Sequence, residues 1–121
     1  MALSQQRIGR QAEDLALSFL RKQGLTPVAR NYRSKRGEID LVMQDNDTIV
    51  FIEVRYRKQA RFGAAAESVD ARKQAKLAST ALYFLQQFPR WQKQPARFDV
   101  IAVTANLNDA GIEWIKDAFH A

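Results

Sequence analysis

The chain has no cysteine and one histidine, His120, next to the last residue. Without thiols there is no disulfide, thiolate metal site or cysteine nucleophile. Without an internal imidazole there is no ordinary His/Cys zinc site and no histidine base. No uninterrupted apolar run exceeds the five residues from Ala81 to Leu85, which excludes a membrane-spanning helix. Met1–Arg7 holds no apolar signal core, so a cytoplasmic, non-membrane protein is expected. No repeat or low-complexity linker divides the 121 residues, and one domain over 1–121 is expected, large enough to bury a core unaided. Any metal chemistry must then be hard-cation chemistry on carboxylates. Acidic residues are outnumbered 13 to 19, giving a net charge of +6 and a pI near 10.0. That excess points to a polyanion, with nucleic acid first and an anionic membrane second.

The cations are concentrated. Eleven of the 19 lie between Arg30 and Lys76, whereas from Asp99 onward Lys116 stands alone among Asp99, Asp109, Glu113 and Asp117. The middle of the chain should therefore form one basic face. Ala12, Leu15, Ala16, Phe19 and Leu20 recur at helical spacing, predicting a helix over 7–23 closed by Gly24. Strands are expected at 26–33, 38–44 and 48–57, with Asp45-Asn46-Asp47 turning the last two into an antiparallel hairpin. A second helix over 69–88 is capped by Ser68 or Asp70, buries Val69, Leu77, Ala81, Phe84, Leu85 and Phe88, and stops at Pro89. Strands at 97–104 and 112–116 complete the order α-β-β-β-α-β-β. The helix between strands 48–57 and 97–104 permits a parallel crossover, so the fold class is α/β with a mixed central sheet flanked by helices.

Two acids interrupt apolar strands: Asp40 in Gly37-Glu38-Ile39-Asp40-Leu41-Val42, and Glu53 in Val50-Phe51-Ile52-Glu53-Val54-Arg55. Strand interiors disfavour such residues, and a buried charge is costly unless paired or metal-bound. The hairpin can bring Asp40 beside Glu53, and alternation places Arg55 on the face of Glu53, about 7 Å along the strand. Two carboxylates and the Val54 carbonyl make an oxygen site for Mg²⁺ or Mn²⁺, with retained water available for attack on phosphorus. The competing reading is two solvated strand positions salt-bridged to Arg55 and Arg57. Asp99, a third acid in an apolar strand, is open between a site role and a hydrogen-bonded structural one. Glu38 shares the alternation of Asp40. Arg33, Lys35 and Arg36 precede the acids, and Arg55, Arg57, Lys58 and Arg61 follow them, interleaved with Tyr32, Tyr56 and Phe62. Cations around a carboxylate pair suit phosphate-backbone contact, and the aromatics either suit base stacking or turn inward. No helix-turn-helix, RNA-binding signature, zinc finger, Walker loop or serine triad is present.

Asp40 followed by Glu53-Val54-Arg55 on the next strand resembles the PD-(D/E)XK nuclease core of restriction endonucleases and Holliday junction resolvases. The wider text resembles the YraN-type family of uncharacterised bacterial proteins. The matching pieces are Gly9-Arg10-Gln11-Ala12-Glu13, Asn31-Tyr32-Arg33, Gly37-Glu38-Ile39-Asp40-Leu41, Phe51-Ile52-Glu53-Val54-Arg55-Tyr56-Arg57, Arg97-Phe98-Asp99-Val100 and Ile115-Lys116-Asp117-Ala118-Phe119. The resemblance implies a restriction-endonuclease-like fold, with Asp40 and Glu53 as metal-binding acids and Glu13 as the first-helix acid that completes the site. Arg55 stands where the nuclease pattern carries lysine. Arginine stays charged and can stabilise a phosphorane, but it accepts no proton; Lys73 is the candidate to reach in from the second helix. The implied function is a Mg²⁺- or Mn²⁺-dependent endonuclease on branched or structured DNA, with a homodimer by analogy with resolvases. The alternative is a nucleic-acid-binding protein that keeps the fold without catalysis.

Overall fold

The computed structural model describes residues 2–57, 68–104 and 111–120. Helix α1 (Ala2–Lys22) leads into β1 (Thr26–Ser34), β2 (Gly37–Asp45) and β3 (Thr48–Arg57). Helix α2 (Ala71–Gln87), a short 3₁₀ turn (Pro89–Trp91), β4 (Ala96–Thr104) and β5 (Ile112–Phe119) follow. The five strands lie in the order β1-β2-β3-β4-β5, all antiparallel except the β3–β4 pair. The parallel pair is the one whose connection contains α2, since parallel neighbours need a crossover. This is the expected α/β architecture, a mixed sheet with helices on both faces, consistent with a restriction-endonuclease-like fold.

Each helix closes one face. The α1 stripe of Ala12, Ala16 and Leu20 packs on Leu41, Met43, Val50, Ile52, Ile101 and Val103. Leu77, Ala81 and Phe84 of α2 pack on Ile39, Val42, Ile49, Phe51, Val100 and Ala102. Strands 41–43, 49–52 and 100–103 are buried on both faces, which explains their continuous apolar runs. The end of α1 is a Schellman motif. Gly24 adopts φ 100°, its N–H bonds the Arg21 carbonyl, and the Leu25 N–H bonds the Leu20 carbonyl, with both leucines in the core. Asp70, rather than Ser68, caps α2 by accepting the Lys73 N–H at 2.9 Å. Phe88, expected in the buried face, is instead exposed at the end of the helix, where its backbone has left the helical path. The final strand runs on past 116 to Phe119, which stacks on Phe98 at 4.9 Å.

One break in this regularity matters for chemistry. β2 and β3 pair from Asp45↔Thr48 to Leu41↔Ile52, and the pairing stops there. β2 nevertheless stays paired to β1 out to Ser34↔Gly37, and β3 to β4 out to Arg57↔Thr104. Ile39 packs into the α2-side core and Leu41 into the α1-side core. Residues two apart in a regular strand share a face, so the pleat breaks at Asp40. On β1 the facing segment is also kinked: Asn31 takes the left-handed φ of 52°, a conformation asparagine tolerates better than most residues. The sheet forks at Asp40.

Candidate active site

The fork holds the acids. Asp40 Oδ2 accepts the Val54 N–H at 2.8 Å, taking the place of the ladder bond that the divergence removes. The Asp40 and Glu53 carboxyl groups lie close enough for the charge of Glu53 to act on Asp40. Burial, followed by the charge of Glu53, pushes the Asp40 carboxyl up to about 8, against the lowering effect of the Val54 N–H. Glu53 itself is only 5% exposed. Its Oε2 lies 3.2 Å from Lys73 Nζ and 3.4 Å from Arg55 Nη2. Arg55 also donates to the Ser68 carbonyl at 3.3 Å, while its buried Nε has no hydrogen-bond partner among the described residues. Arg55, Ser68, Asp70, Arg72, Lys73 and Lys76 surround an open cavity of about 420 Å³ beside Glu53.

Lys73 thus reaches the acids from the second helix. The first turn of α2, fixed by the Asp70 cap, aims it at Glu53 across the opening. The separation of the strands leaves room for that approach.

Glu13 lies at the same end of the sheet and adds to the negative potential on Asp40. Its direct contacts are elsewhere: Oε1 accepts from Asn31 Nδ2 at 3.1 Å and lies 3.5 Å from Arg30 Nε. The other Asn31 bond, at 3.0 Å, goes to Glu38, which also pairs with Arg33 at 3.4 Å. Asn31 therefore ties two of the acids to the kinked strand. Composition alone did not single it out; the signal was a strand asparagine, a type depleted there. Among the described residues no three His, Asp or Glu side chains converge closely enough to hold one ion together.

Asp99 belongs to a different network. It is fully buried and accepts from Arg97, from Trp114 Nε1 at 2.9 Å and from the Asp117 N–H at 2.9 Å. Arg97 reaches on to Asp45 at 2.9 Å, joining β2 to β4. The role is structural, and the cost of burying the charge is offset by these partners.

The cations expected at the rim divide into groups. Arg33, Lys35 and Arg36 sit at the β1–β2 turn, facing α2. Arg57 follows Arg55 by two positions on β3. Lys58 and Arg61, with Phe62, lie outside the described residues. Tyr32 and Tyr56 pack against the two cores rather than offering their rings to bases. Among the described residues the exposed aromatics are Tyr83 on α2 and Phe88 at its end.

Comparison with known proteins agrees with the likeness read from the motifs. The family model described as uncharacterised protein family UPF0102 matches residues 12–103, a span holding Glu13, Asp40, Glu53, Arg55 and Lys73. A UPF0102 protein of Pseudomonas savastanoi pv. phaseolicola is 55% identical over 117 residues, covering 96% of this chain and 95% of that protein. One from Pseudomonas syringae pv. syringae is 52% identical, with the same coverage. One from Stutzerimonas stutzeri is 51% identical over 116 residues, covering 96% and 97%. With its motifs, fold and relatives in agreement, the chain belongs to the UPF0102 family.

Proposed function

We propose that this protein is a divalent-metal-dependent endonuclease that hydrolyses phosphodiester bonds of structured or branched DNA. The observation that carries the reading is the meeting of Asp40 and Glu53 at the sheet fork, with Lys73 and Arg55 on Glu53. The pair fits a hard cation. Two carboxyl groups lie beside each other, and among the described residues the charge at Asp40 has no cation of its own to offset it. A small site of two carboxylates suits Mg²⁺ or Mn²⁺, which keep several waters. Asp40, Glu53 and the Val54 carbonyl would hold the ion, which would supply Lewis-acid activation of phosphate and water.

The remaining residues have separate tasks. Arg55, whose buried Nε has no partner among the described residues, offers guanidinium hydrogen atoms to phosphate oxygens as charge builds on them. Lys73 Nζ supplies what Arg55 lacks, a compact ammonium that can orient the attacking water or give a proton to the leaving oxygen. In the reaction a water oxygen bonds to phosphorus, the ester P–O bond breaks, and the leaving oxygen takes a proton. Glu13, tied to Asn31 and Arg30, adds negative charge beside Asp40 rather than touching the phosphate.

The test is cleavage of junction, flap and duplex DNA with Mn²⁺. Product is expected from the natural protein and none from Asp40→Asn; cleavage surviving in Asp40→Asn would discard the site. A second reading, a binding protein without catalysis, is favoured by Arg55 at the lysine position and by its pairing with Glu53. It expects salt-sensitive DNA affinity, indifference to EDTA and no product. A gain of cleavage in Arg55→Lys would identify the arginine as the defect.

A further inference from the structure

Helix α2 presents a second feature, beyond the carboxylates. Arg72, Lys76, Ser79, Tyr83 and Gln86 recur at intervals of four and three, which places them on one stripe of the helix. The beginning of the stripe borders the cavity beside Glu53. Its later part walls a separate groove of about 630 Å³, whose opposite wall is Arg33, Lys35 and Arg36 from the β1–β2 turn. The helix wall, Ser79, Leu82, Tyr83 and Gln86, carries two large exposed side chains. Leu82 is 63% exposed and Tyr83 51%, unusual values for large side chains.

The groove is built rather than accidental. Ser34 Oγ and Thr80 Oγ1 are 3.3 Å apart, which fastens the turn to the helix. A Cβ added at Gly37 would stand 3.4 Å from Thr80 Oγ1, so turn and helix approach closely here. Behind the groove, Tyr83 leans on Tyr32 at 6.4 Å, and the Tyr32 hydroxyl bonds Gln87. Tyr83 is thus backed on one side and open on the other.

An exposed ring opposite three cations is the arrangement that holds single-stranded nucleic acid: bases stack on the aromatic while phosphates follow the positive wall. Its position agrees with that use. Arg72 and Lys76, which border the cavity with Lys73, share the Tyr83 stripe, and Lys76 is about 10 Å from Tyr83 along the helix, so one strand can run from the cavity into the groove. A paired base keeps its faces stacked on its neighbours and offers nothing to Tyr83. Building on the nuclease reading for the cleavage point alone, we propose that this groove receives an unpaired nucleotide of the strand presented to Asp40 and Glu53. Tyr83 stacks on the base, and Arg33, Lys35 and Arg36 bind the flanking phosphates. The substrate is then a flap or splayed end, with its single-stranded part along α2.

Binding can be read without cleavage. Fluorescence anisotropy in EDTA at low salt would compare a labelled ten-nucleotide oligothymidylate with a blunt hairpin duplex. Tyr83→Ala should lower the ratio of single-strand to duplex affinity about 5- to 100-fold, while Tyr83→Phe should restore it. Thermal melting would confirm that both variants fold. An unchanged ratio in Tyr83→Ala, or failure of the natural protein to bind the single strand, overturns the groove assignment. Either result leaves the nuclease reading to its own cleavage assay. Tyr83-dependent binding with no cleavage of any DNA under Mn²⁺ supports the groove and rejects the nuclease reading. Tyr83-dependent capture of a glutamate-rich peptide in place of DNA assigns the groove to a protein partner and overturns the proposal.

Discussion

Replacing Asp40 with asparagine should make the metal-free protein more stable, although it removes a residue placed at the centre of the site. In the folded chain the Asp40 carboxyl is raised from 3.8 to about 8 by burial and by Glu53. Between those values the folded chain carries a proton that the unfolded chain has released. Stability must therefore fall as pH rises through this window, and the whole cost is present above pH 8. About four pH units at about 1.4 kcal/mol each set a ceiling of about 6 kcal/mol. Asp40 is partly exposed, and solvent screening should reduce this to about 2–3 kcal/mol. Asparagine keeps an oxygen for the Val54 N–H and gains a donor for Glu53, so the geometry survives without the charge.

The assay is thermal unfolding in EDTA from pH 5 to pH 9. The natural protein should lose stability along this series, and Asp40→Asn should melt about 8–12 °C higher at pH 8, with the gap closing towards pH 5. Added Mn²⁺ should raise the natural protein's melting temperature at pH 8 and leave that of Asp40→Asn in place, since an ion bound only by the folded state stabilises it. Parallel curves for the two proteins across the whole range would refute the claim that Asp40 carries an uncompensated charge at the fork.

Two further outcomes test other parts of the structure. Lys73→Met should reduce cleavage by about 10²–10⁴-fold, the usual range for loss of a positioned proton donor or acceptor, whereas Arg72→Met should not; equal effects would show that only the charge of the cavity matters. Asp99→Asn should destabilise the fold by about 3–5 kcal/mol in denaturant titration, because Arg97 is left without its buried partner; a loss under 1 kcal/mol would mean that Asp45 alone satisfies Arg97.

Much of the fold was legible in the sequence because its signals are local. The α1 stripe, the Gly24 stop, the Asp45-Asn46-Asp47 turn and the apolar runs of β3 and β4 each depend on a few neighbouring residues. The parallel pairing followed from the length of chain between those two strands. The site was legible only in outline. Asp40 and Glu53 stood out because acids are misplaced in apolar strands, and Arg55 because alternation puts it on the face of Glu53. What alternation could not show is that β2 breaks it. The break depends on the competition between two cores for Ile39 and Leu41, a tertiary effect absent from the period of the strand. Of the two readings open for Tyr32 and Tyr56, the inward one holds, because they lie on strands covered by helices, whereas Tyr83 falls on the uncovered side of α2.

The break also accounts for the placement of the acids. In a continuous sheet a carboxylate at position 40 would lie against one core or the other, without room for a third group. Once β2 and β3 separate, the Val54 N–H loses its ladder partner and a polar acceptor becomes favourable at that point; Asp40 supplies it. The gap then admits Lys73 from α2, which with Arg55 joins Glu53 to an open cavity that both line. The same residue thus repairs the backbone of the fork and supplies one carboxylate of the pair. A hydrophobic replacement would fail at both tasks, leaving an unsatisfied N–H at the edge of the core. Asparagine separates them, since it still accepts the Val54 bond while removing the charge, so it can distinguish a structural acid from one that serves chemistry.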